Sequence, residues 1–145
     1  MQNSKKSVLI TKADVDATLK QPPVQGKHLL EPFKAFAKAN SLPMNILEDI
    51  AVDNKAEVHT HEADLWLCME GEVTFVHGGE LVDPKPKDNK DGTFDNRELS
   101  SQEIKGGTEV VLKSGDWFYI PAGEPHKHKT TSVARLVIIK IPKVG

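Results

Sequence analysis

Apolar residues along this chain change their spacing near residue 44. Before it they recur at helical intervals. Thr11 followed three residues later by Asp14 reads as a capping box, and Val15 and Leu19 sit four apart before Gln21-Pro22-Pro23 stops the helix. A second short helix is predicted around Pro32 to Lys38, with Phe33, Phe36 and Ala37 on one face and Asn40 near its end. From Met44 onward the pattern becomes short β-rich runs separated by Gly, Pro, Asn and Asp. These runs predict strands over Asn45–Val52, Ala56–His61, Leu65–Met69, Glu72–His77, Thr108–Leu112, Trp117–Ile120, His126–Lys129 and Ala134–Ile141. Glu70-Gly71 and Gly78-Gly79 supply tight-turn chemistry, so sequence neighbours are expected to pair as hairpins in an antiparallel meander. Residues 1–42 then make an N-terminal helical segment and residues 43–145 one barrel domain. Asp83 to Gly107 breaks the rhythm, being polar apart from Phe94, Leu99 and Ile104, and reads as a long solvated insertion loop that would lie over the barrel mouth if it acts as a lid.

In Leu65–Met69 both faces are apolar: Trp66 and Cys68 share a face with Asp64, and Leu65, Leu67 and Met69 take the other. Something must cover the outside of this strand, either the N-terminal helices or a second copy of the chain, and a homodimer is the expected assembly.

The 145 residues suit one domain with its own core, and no second domain is expected. Nineteen basic against 21 acidic residues leave a formal charge of −2, which excludes the basic stripe that nucleic acid demands. The single cysteine, Cys68, has no internal partner, and a lone cysteine in a strand is read as a small hydrophobe. Lys5 and Lys6 precede only a brief apolar run, Val8 to Ile10, and no segment reaches membrane-spanning length, so a cytoplasmic protein with no membrane partner is expected.

The candidate chemistry lies in two clusters. His59 and His61, two apart on an expected strand, would project from one face with Cα atoms about 6.6 Å apart, within reach of a shared metal ion. The second cluster is Gly115-Asp-Trp-Phe-Tyr-Ile-Pro121-Ala-Gly123-Glu-Pro-His126, in which Pro121 and Gly123 make a sharp turn that brings a third histidine toward the first pair. Three nitrogen ligands complete the minimum for a catalytic metal with open positions.

These stretches resemble the two motifs of the cupin superfamily. His59-Thr-His61-Glu-Ala-Asp64, with six residues between Asp64 and Gly71, is similar to the first motif, and Gly115 to His126 is similar to the second without a gap, so that the resemblance covers roughly Met44 to Pro142. It implies an all-β fold, an antiparallel double-stranded β-helix or jelly-roll barrel preceded here by a short helical segment. It also implies one divalent metal bound by His59, His61, Asp64 and His126, with pairing of subunits. The chain departs from the pattern at the carboxylate. The family commonly has glutamate three or four residues beyond the second histidine, whereas Asp64 lies two beyond His61 and is one methylene shorter. Glu62 is the fallback, although a continuing strand would turn it away from His61.

Two further residues are candidates for work on the substrate. His128 shares the face of His126 and would act as an acid/base or support a ligand. Arg135, alternating with Val137, Ile139 and Ile141, would anchor a carboxylate or phosphate if its face points inward. The leading functional expectation is a non-haem iron dioxygenase acting on a small polar or aromatic metabolite. Sugar isomerase, epimerase or lyase chemistry and a non-enzymatic ligand- or metal-binding barrel are the alternatives. The ligand set accepts Fe(II), Mn, Ni, Zn or Cu, and affinity order alone does not select among them in favour of iron; Fe(II) is the leading expectation.

Overall fold

A computed structural model describes residues 7–144, which leaves Lys5 and Lys6 outside. Two short helices and twelve strands follow in the order α1 (Lys12–Leu19), β1 (Gly26–His28), α2 (Phe33–Asn40), β2 (Met44–Ile50), β3 (Ala56–His59), β4 (Glu62–His77), β5 (Glu80–Leu81), β6 (Lys85–Asp88), β7 (Phe94–Ser101), β8 (Ile104–Lys105), β9 (Thr108–Lys113), β10 (Trp117–Ile120), β11 (His126–Lys129) and β12 (Val133–Pro142). The Thr11 capping box forms as expected: its hydroxyl accepts from the Asp14 backbone N–H at 3.1 Å and the Asp14 carboxylate accepts from the Thr11 N–H at 3.0 Å.

The meander expectation fails at Gly71. Instead of turning there, the chain runs on as one sixteen-residue strand, β4, that belongs to two sheets. Its first half pairs with β10 on one side and β12 on the other, and its second half with β9 and β11. One sheet therefore runs β1-β2-β12-β4-β10 and the other β9-β4-β11-β3-β7-β6, all antiparallel, and β4 bends from one into the other. Gly71 is the corner. Its φ is +76°, and a Cβ there would collide with the carbonyl oxygen of Val133. The positive φ signalled by the glycine is real, but it serves a bend within a strand. Strands far apart in sequence then become neighbours, as in a jelly roll, and the sheet curls around an interior.

That interior holds Leu47, Trp66, Cys68, Val73, Phe75, Leu112, Ile120, Ala134, Leu136 and Ile138. Trp66 and Cys68 face inward as the alternation predicts. The outer face of the first sheet is covered by the chain's own N-terminal segment: Phe33 is buried against Ile46 and Val137, and Ile10, Val15 and Leu30 join Leu67, Met69 and Ile139. The outside of β4 thus does not require a second subunit.

Arg135 lies on this same outer face, at 1 % exposure. Its Nε is 3.0 Å from Glu48 and 3.2 Å from Glu70, and its guanidinium donates to the carbonyls of Thr18 and Gln21 at the end of α1. The sequence left its direction open. Alternation from the buried Ala134, Leu136 and Ile138 settles it, because Arg135 must point away from the barrel and toward the helical segment.

Residues 83–107, expected as a loop, contain three strands. β6 and β7 form a hairpin, and β7 pairs with β3 in the register His59↔Glu98. Lys and Asp at exposed edge positions masked these strands in the sequence. The 3-residue β1 was also missed, being too short and polar to show a period.

Candidate metal centre

Three buried side chains converge at the mouth of the barrel. His59 from β3, Asp64 from the start of β4 and His126 from the start of β11 offer ligand atoms that lie within 4.8 Å of one another. Asp64 Oδ2 is 3.4 Å from His126 Nε2 and 3.9 Å from His59 Nε2, and the two imidazole centroids are 5.2 Å apart. The Pro121-Ala-Gly123 turn delivers His126 as expected, and the Gly123 N–H is tied to the His59 carbonyl at 2.8 Å.

The surroundings fix how these groups face. His126 Nδ1 lies 3.1 Å from the Glu124 carbonyl, which can only accept, so Nδ1 carries the proton and the Nε2 lone pair points to the centre. Burial pushes the His126 imidazole below its ordinary pKa, against the pull of Asp64, and so favours the neutral ligand form. Lys140 Nζ donates to Asp64 Oδ1 at 2.6 Å, leaving Oδ2 turned toward the histidines. Oδ2 is buried without any hydrogen-bond partner. A buried carboxylate oxygen is costly to leave unpaired, and a cation between Asp64 and two imidazoles would satisfy it.

Sequence reasoning missed Glu57. It stands two residues before His59 on β3, and its Oε2 is 3.2 Å from His59 Nε2. Burial raises its carboxyl pKa, but the hydrogen bond to His59 and the charges of the nearby imidazoles outweigh burial and hold it at about 2. On His59 burial works downward, and the contacts with Glu57 and Asp64 overcome it to raise the imidazole. Glu98, brought by β7, places Oε1 3.3 Å from His59 Nδ1 and is itself 3.1 Å from Lys87 Nζ. His59 Nδ1 has no hydrogen-bond partner among the described residues, so Glu98 meets the far side of the ring as a charge.

His61 does not join them. β3 ends at His59, where Thr60 turns to donate its N–H and hydroxyl to the Arg97 carbonyl at 2.8 and 2.9 Å. The alternation that would have aimed His61 with His59 therefore stops, and His61 Nε2 faces Glu62 at 3.7 Å. Glu62 belongs to a second, more exposed grouping with His59 and Glu98. Of the four ligands that the resemblance implies, the structure brings His59, Asp64 and His126 together and leaves His61 outside the group; four residues separate His59 from Asp64.

The centre opens into a cavity of about 910 Å³. His128 lies inside it, two residues beyond His126, with Nδ1 2.8 Å from Asp49 Oδ2 and its ring beside Trp66 and Phe75. Arg135 does not border the cavity.

Comparison with family models and with curated proteins found no match. Solved structures similar to this chain include the Schizosaccharomyces pombe Cnp3 cupin domain (TM-score 0.47, 11% identity, 69% of this chain and 52% of that one), an ethanolamine utilization protein q from Salmonella typhimurium (0.47, 14%, 72% and 63%) and FeII HppE (0.48, 18%, 92% and 60%). The chain spans less than two thirds of each of those proteins. No helix among the described residues is long and apolar enough to cross a membrane. With β4 shared between two antiparallel sheets that curl around one interior, the chain has the all-β, antiparallel jelly-roll architecture expected from its sequence.

Proposed function

We propose that this chain is a metal-dependent enzyme acting on a small molecule, its ion held by His59, His126 and Asp64, with the Glu57 carboxylate beside His59. The observation that carries the reading is the convergence of two imidazole Nε2 atoms on a buried, unpartnered Asp64 Oδ2. Two histidines and one carboxylate on neighbouring strands, with space beside them, are the donor set of non-haem Fe(II) oxygenases. A dioxygenase is accordingly the first reading, with Fe(II) as the metal and Mn, Ni, Zn or Cu as alternatives. When bound, the metal supplies a Lewis acid with open positions for oxygen donors and, as iron, redox chemistry with O₂. The protein's part is to hold Asp64 through Lys140, to fix the His126 tautomer through Glu124, and to line a cavity deep enough to enclose a small substrate.

Isomerase, epimerase or lyase chemistry is the second reading, and Lys140 favours it. A lysine ammonium 2.6 Å from a metal-facing carboxylate, bordering the cavity, supplies a cation and a proton donor to a substrate oxygen bound beside it. Oxygen uptake separates the two. Anaerobically Fe(II)-loaded protein exposed to air with a panel of catechols, amino-acid derivatives and sugars should consume O₂ with one of them, whereas turnover without O₂ uptake assigns the isomerase or lyase class. Protein that retains no metal after incubation with Fe(II) and Mn(II) contradicts both, leaving a ligand-binding barrel.

A further inference from the structure

Beyond the metal centre the cavity contains a second set of polar groups for which the proposed metal chemistry has no use. Asp49, on the inner face of β2, is fully buried and lines the cavity. Oδ1 has no hydrogen-bond partner, and Oδ2, though 2.8 Å from His128 Nδ1, lacks hydrogen-bond alignment. Trp66, at 3 % exposure, lines the same cavity, and its indole Nε1–H has no partner either. A buried acceptor and a buried donor left unpaired in one cavity, each next to the His128 ring, are destabilising, and folds retain such groups where a ligand completes them.

Their chemistry selects the ligand. Asp49 needs a donor and the indole N–H needs an acceptor. A hydroxyl group is both, whereas an ammonium would satisfy Asp49 and leave the indole unpaired. The distance also fits. His126 and His128 mark the metal centre and this second set on one strand, two residues or about 6.8 Å apart, roughly the length of an extended six-carbon chain.

We infer that Asp49 and the Trp66 indole N–H form a hydroxyl-recognising subsite, and that the cavity takes a small polyhydroxylated molecule whose other oxygen atoms reach the metal centre. This rests on the metal reading only for the orientation of the ligand. The subsite itself stands on Asp49 and Trp66.

D-gluconate and hexanoate, equal in carbon number and both carboxylates, differ in their hydroxyls and provide the test by calorimetry on Mn(II)-treated protein. Gluconate should bind about tenfold or more tighter than hexanoate, the difference expected when buried polar groups are left unpaired. Asp49→Ala should erase that preference without lowering the melting temperature, because it removes an unsatisfied carboxylate. Trp66→Phe, which keeps the packing but not the N–H, should weaken gluconate by about fivefold or more. Equal binding of the two acids, binding of neither, or an unchanged preference in both variants would overturn the inference. Bound metal, counted in the same samples, keeps the outcomes apart. A preference that depends on Asp49 in protein that holds no metal sinks the metal reading alone, and metal retention without a preference sinks this one alone.

Discussion

The ligand positions make unequal demands on the side chains that fill them. His59 and His126 are buried, and His126 is oriented by the Glu124 carbonyl, whereas His61 lies in a turn beside Glu62. His61→Ala should therefore leave metal affinity within about twofold of the parent, since no ligand is removed. Glu57→Gln keeps the shape of the side chain but removes its charge, and should weaken metal binding by about tenfold or more if the carboxylate is a fourth ligand. Competition with a fluorescent chelator reads both variants. A large loss in His61→Ala would place His61 among the ligands. The His59-Thr-His61 pair is legible as donors in the sequence, but the end of β3 between them is not, because it is set by the bonds of Thr60 to the distant Arg97.

Among the elements, β6 and β7 change most in meaning. Polar composition suggested an unpaired loop, but the β6–β7 hairpin extends the second sheet and lays Glu98 opposite His59. The Lys87 ammonium and His59 hold the Glu98 carboxyl below its usual range against the upward push of burial. Glu98→Gln should cost about 10–100-fold in metal affinity, the usual effect of losing the carboxylate behind a ligating histidine. An isotherm indistinguishable from the parent's would reduce Glu98 to a partner of Lys87. Strands with a buried face, β2, β3, β4 and β9 to β12, were legible because alternation or a continuous apolar run marked them. β6 was hidden because its side chains are mostly exposed, and edge strands carry charge for reasons unrelated to packing.

For the whole molecule, local signals identified the turns but not the strand partners. Gly71 announced a bend, and only the assembled sheets show that the bend carries β4 from one sheet to the other. Arg135 was likewise conspicuous as a charge among apolar residues, and its partners, Glu48, Glu70 and the end of α1, come from three separate parts of the chain. It ties the N-terminal segment to the barrel, so its role is in holding the fold. Arg135→Met leaves Glu48, at 1 % exposure, beside His28 but without its guanidinium. Urea denaturation should show a loss of about 3 kcal/mol, in the range for breaking one side of a buried ion pair, with metal affinity in the folded state unchanged. A variant that keeps its stability but loses metal would put Arg135 back in the site.

The central claim is that His59, Asp64 and His126 hold one divalent ion. The most direct test is to count metal by elemental analysis after incubation with Fe(II) under anaerobic conditions and desalting, for the parent chain and for His126→Ala. The parent should retain one ion per chain and the variant, still folded by circular dichroism, close to none. Equal metal in both would contradict the site assignment.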